Sequence, residues 1–75
     1  MSKVEAAYLI LREYDREMTY KEIIDIAIKR GLIVTKGKTP DQTLRVDIMN
    51  ENKRRQSQGK ELRFNNTKPK FVSLY

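Results

Sequence analysis

Two lysines and a threonine stand directly ahead of a helix-start pattern in Lys36-Gly37-Lys38-Thr39-Pro40-Asp41-Gln42-Thr43-Leu44, and their chemistry suits the capture of an anion. Thr39 has the side chain of an N-cap, Pro40 fits the first helical position, and Gln42 is spaced to complete a capping box with Thr39. The N–H groups at such a helix start carry partial positive charge, so a phosphate would meet backbone donors together with the ammonium groups of Lys36 and Lys38. On this reading Thr39→Ala costs about 1 kcal/mol, the usual penalty for a lost cap. Gly37-Lys38-Thr39 also spells the tail of a phosphate-binding P-loop. That motif requires a further glycine where this chain has Leu32, and Gly31 is out of register. The stretch therefore predicts anion binding without nucleotide hydrolysis.

Other reactive chemistry is scarce. Among 75 residues there is no cysteine and no histidine, which removes disulfides, thiolate metal sites, the commonest metal ligand and the commonest general base at neutral pH. Glu13, Asp15 and Glu17 flank a turn and read as solvating groups, since paired acid–base work needs a pocket that so short a chain can hardly spare. We expect no enzyme, no cofactor, no metal and no small-molecule substrate. The apolar runs are short and the Met1-Ser2-Lys3-Val4-Glu5 start is polar, so a soluble intracellular protein with no membrane partner is expected. Asn65-Asn66-Thr67 fits a glycosylation sequon but reads as a polar turn.

The formal charge of +6 is unevenly spread. Residues 1–35 hold six cations and six anions, whereas residues 36–75 hold ten cations against Asp41, Asp47, Glu51 and Glu61. A neutral half is thus joined to a basic half. Basic surfaces gain affinity for polyanions through counterion release, which makes nucleic acid the leading partner and an acidic protein or membrane surface the second.

Three helices can carry these groups. Val4, Ala7, Tyr8, Leu11 and Tyr14 recur at helical spacing and predict a first helix over about residues 3–15. Thr19-Tyr20-Lys21-Glu22 is a second capping box, followed by an apolar stripe of Ile23, Ile24, Ala27 and Ile28 and a stop at Gly31, giving a helix over about 19–30. Leu32-Ile33-Val34 reads as a buried connector. The third helix then runs from Pro40 to Arg55 or Gln56, with Leu44, Ile48 and Asn52 inward and Gln42, Arg45, Val46, Met49 and Lys53 outward. Beyond Gly59, Leu62 and Phe64, then Val72 and Leu74, alternate with polar or outward residues around Asn66-Thr67-Lys68-Pro69-Lys70, which predicts a β-hairpin with a basic tip. The expected architecture is α+β: one domain over residues 1–75, three helices followed by a hairpin, in the order of a winged helix-turn-helix.

Several features have two readings. Lys53-Arg54-Arg55 is either a solvated, dipole-matched helix end or part of a backbone clamp with Lys68 and Lys70. Val46 and Met49 could be loose core, a thymine-methyl contact or a protein patch, and partial burial under the wing is expected. Tyr8, Tyr14 and Tyr20 are expected as core or rim aromatics.

The chain resembles the HARE-type winged helix-turn-helix domains found at the front of some restriction endonucleases, chromatin regulators and the delta subunit of bacterial RNA polymerase. The matching residues are Ala7 and Leu11, Tyr20-Lys21-Glu22-Ile23, Gly31-Leu32, Lys36-Gly37-Lys38-Thr39-Pro40 with Thr43-Leu44, and Arg63-Phe64 with Leu74. It departs at Thr19, where the family often has histidine, at Asn52, where it often has an apolar residue, and at Lys70, where a glycine usually precedes the last strand. The resemblance implies a DNA-binding or transcription-related adaptor, usually attached to a larger protein such as a transcription or restriction protein or a fused catalytic domain.

The expected function is therefore a double-stranded DNA-binding module with the third helix in the major groove. The candidate contacts are Lys36, Lys38, Thr39, Gln42, Thr43, Arg45, Lys53, Arg54, Lys68 and Lys70, with Gln42 and Arg45 as base readers. The alternative is a protein-interaction adaptor of the transcription machinery that uses the same basic face. Either role places the chain in the cytoplasm at the nucleoid of a prokaryote, or in a nucleus.

Overall fold

A computed structural model describes residues 1–35 and 37–75. Helix α1 (Lys3–Tyr14) begins where the Ser2 hydroxyl oxygen accepts from the Glu5 N–H at 3.2 Å, and ends at Asp15 in the left-handed region at φ 52°. Its buried side is Ala6, Ala7, Ile10 and Leu11, so the inward stripe is turned slightly from the predicted one and Tyr14 is exposed. Strand β1 (Met18–Thr19) follows, then helix α2 (Tyr20–Lys29). The predicted capping box is present. Glu22 N–H donates to Thr19 Oγ1 at 3.1 Å and Thr19 N–H donates back to the Glu22 carboxylate at 3.0 Å.

Helix α2 ends in a Schellman motif. Gly31, at φ 69°, lets its own N–H reach the Ile28 carbonyl and the Leu32 N–H reach that of Ala27. Ile28, predicted on the apolar stripe, is exposed, because the core is met by Tyr20, Ile23, Ile24 and Ala27. The connector is also only partly buried: Ile33 plugs into the core, whereas Val34 points outward.

Helix α3 (Pro40–Ser57) has Thr39 as its N-cap residue and Pro40 at its first position, but the predicted box with Gln42 does not form. Thr39 lies at φ −133° and ψ 63°, away from the extended conformation that aims a capping hydroxyl at the helix, and its side chain makes no cap hydrogen bond. Its carbonyl instead accepts from the Thr43 N–H at 3.2 Å and from the Thr43 hydroxyl at 3.3 Å. Leu44, Ile48, Glu51 and Asn52 form the buried side of α3.

The wing is strand β2 (Phe64–Asn65) with strand β3 (Phe71–Leu74), shorter in its first arm than the predicted hairpin. The sheet order is β1-β3-β2, antiparallel throughout, with Met18 opposite Val72, Thr19 opposite Phe71, Phe64 opposite Leu74 and Asn65 opposite Ser73. Met18, Phe64 and Val72 thereby join Ile10, Leu11, Ile23, Leu44 and Ile48 in one core between three helices and a small sheet, the arrangement of a winged helix. Among the described residues no helix is long and apolar enough to cross a membrane.

Candidate nucleic-acid interface

The orientation of α3 is fixed by polar anchors on its buried side. Asn52 Nδ2 donates to the Phe64 carbonyl at 3.1 Å and to Asn66 Oδ1 at 3.2 Å, which ties the later part of the helix to the wing. One residue earlier, the nearly buried Glu51 carboxylate accepts hydrogen bonds from Arg63 and Arg54 and pairs with Arg55 at 3.4 Å. The Arg63 guanidinium also pairs with Glu5 of α1 at 3.6 Å and lies over the Tyr8 ring, 4.6 Å from its centroid. Burial pushes the Glu51 carboxyl up, yet the bonds from Arg63 and Arg54 outweigh that push and hold it below the ordinary carboxylate value.

With that side held, the opposite face of α3 is open. Gln42, Arg45, Val46, Met49 and Lys53 are all exposed there, as the helical spacing predicts. The start of α3 lies beside the start of α2 and the wing tip, and the three elements form a shallow groove lined by Thr19, Tyr20, Lys21, Asp41, Gln42, Arg45, Pro69 and Lys70. Burial raises the pKa of the Tyr20 phenol, and the nearby Arg45 cation pulls it partly back. Among the described residues, Lys21, Lys38, Arg45, Lys53 and Lys70 take part in no ion pair. These cations keep their charge available to an outside anion.

The residues singled out in the sequence divide accordingly. Gln42, Arg45 and Lys70 share the groove. Lys38 and Thr39 are exposed just ahead of α3, and because Thr39 supplies no side-chain cap, the first-turn N–H groups are left to other acceptors. Thr43 is exposed on the flank and bonded back to Thr39. Lys53 continues the outward face, whereas Arg54 sits at its margin, tied to Glu51 and beside Glu5 and Asn50. Lys68, at the wing tip, is paired with Glu17 at 2.9 Å. Lys36 lies outside the described residues.

Lys21 and Tyr20 were not singled out in the sequence. Their signal was present: they are the first residues of α2 after its capping box, and a helix-turn-helix brings that end next to the start of the following helix.

A family model for the HARE-HTH domain, described as the helix-turn-helix domain of ASXL and restriction endonuclease proteins, matches residues 1–64, from the start of the chain through the first residue of β2. No curated protein and no solved structure gives a significant match.

Proposed function

The chain belongs to the HARE-HTH family of DNA-binding helix-turn-helix domains, and from that premise we propose that it is a duplex-DNA module in which α3 enters the major groove. One observation carries the reading: the unpaired cations Lys21, Arg45 and Lys70 converge with Gln42 on a single groove, and Lys38 and Lys53 extend that charge to either end of the exposed face of α3. Gln42 and Arg45 can present an amide and a guanidinium to adenine and guanine edges. The uncapped start of α3, Lys36 and Lys38 address one stretch of backbone, and Lys68 and Lys70 of the wing address the next. Lys53 and Arg54, toward the far end of the helix, would meet backbone, and Thr39 and Thr43 can add hydroxyl donors to phosphate. Such a module would deliver a transcription or restriction protein, or a fused catalytic domain, to DNA.

A salt titration with a duplex tests this directly. Contact with roughly 3–5 phosphates makes the logarithm of affinity fall against the logarithm of salt with a slope of about −3 to −4.5. Absence of binding at low salt, or a flat response, would instead favour a protein adaptor that uses the same basic face on an acidic partner.

A further inference from the structure

We propose that Val46 and Met49 make this domain selective for thymine, each packing on the C5-methyl group of a thymine in the major groove; this rests on the reading that α3 lies in that groove. Both side chains sit on the outward face of α3 and leave 52% and 37% of their surface exposed. The wing does not cover them, because it meets the helix on the other side, through Asn52 and the backbone of Phe64. Two large apolar side chains in the middle of a binding face lose contact with water only when a partner fits over them.

The surroundings identify that partner. Gln42 and Arg45 precede the pair on the same face and Lys53 follows it, so whatever covers Val46 and Met49 must also accept three polar or cationic groups. An anionic duplex does so, and within its major groove the thymine methyl is the one apolar feature, since the edges of adenine, guanine and cytosine present nitrogen and oxygen groups there. From Gln42 to Met49 the helix advances about 10 Å, or about three base-pair steps. The amide, the guanidinium and the two apolar side chains therefore address successive base pairs, with the thymines on the side away from the start of α3.

The experiment begins by selecting the tightest-binding duplexes from a random pool with the full chain. Each thymine of the selected site is then replaced singly by deoxyuridine, which removes the methyl group and nothing else. Native protein is expected to lose about fourfold in affinity at one or two positions, the equivalent of one buried methyl-sized group. Val46→Ala or Met49→Ala should bind the unmodified site correspondingly more weakly and lose sensitivity at its own position, with circular dichroism checking that the helix content is kept. Insensitivity of the native protein at every thymine overturns the proposal, as does sensitivity that survives in both variants. Binding by both variants equal to native would assign the pair to a protein partner and overturn it too. Failure to bind any duplex overturns the underlying DNA reading as well, so the two failures are distinguishable.

Discussion

Lys68 Nζ at the wing tip lies 2.9 Å from Glu17 Oε2, so one of the wing's two lysines is occupied by the turn between α1 and β1. Both side chains are about half exposed, and such pairs contribute little to stability, typically under 1 kcal/mol. Their effect on binding is larger than that figure suggests, because a phosphate must compete with Glu17 for the same ammonium. Glu17→Gln is expected to raise duplex affinity at low salt several-fold in the native background. In a Lys68→Ala background the gain should shrink to the general effect of removing one negative charge. A double-mutant cycle on duplex affinity measures the difference.

The groove separates readers from holders. Arg45→Ala and Gln42→Ala are expected to cost about 1–3 kcal/mol on a preferred site and little on random duplex. Lys38→Ala, Lys53→Ala and Lys70→Ala should weaken all sequences alike and reduce the salt slope by about one each. Parallel titrations of the two duplexes at several salt concentrations distinguish the patterns. Uniform losses at all five positions would mean that the domain binds by charge and shape alone.

The two threonines ahead of α2 and α3 look alike in sequence and should behave differently. Thr19→Ala removes a hydroxyl that accepts from the Glu22 N–H and should cost about 1 kcal/mol in a denaturant titration. Thr39→Ala removes a hydroxyl that caps nothing, so its cost is expected to stay within about 0.5 kcal/mol, the range of an ordinary surface change.

That contrast marks what a one-dimensional pattern can convey. Residues Thr19 and Glu22 are three apart and settle their own geometry, so the box was legible; Thr39 and Gln42 have the same spacing, but the outcome depends on a backbone angle that the spacing does not set. The third helix and its outward face were legible because helical periodicity persists over its whole length. Strand β1 was not, because two residues carry no period, and Met18 is buried only through its pairing with Val72. The Glu51–Arg63 and Glu17–Lys68 pairs were equally hidden, since partners 12 and 51 positions apart share no local signature.

Acid should weaken the fold through its paired carboxylates. Burial raises the Glu51 carboxyl but its arginines lower it further; the Arg30 hydrogen bond lowers Glu13, and the Thr19 backbone N–H, helped by Arg16, lowers Glu22. Each is thus held below the ordinary value of 4.5. A carboxyl depressed in the folded state contributes stability above its unfolded value and loses it as pH falls through the folded one. The denaturation midpoint is expected to be level from neutrality to about pH 5, with no histidine to titrate between, and to fall below about pH 4.5. Glu51→Gln should start lower at neutral pH and show a shallower decline in acid.

Thr19 closes the last strand position opposite Phe71 and, in the same residue, caps α2. The wing is consequently no hinged flap. Its third strand is stitched to the first turn of α2, so a displacement of the tip is handed to the helix that precedes the recognition helix. Amide protons in β3 and at the start of α2 are expected to exchange with solvent as one cooperative unit, and docking of the tip on a surface would slow both together.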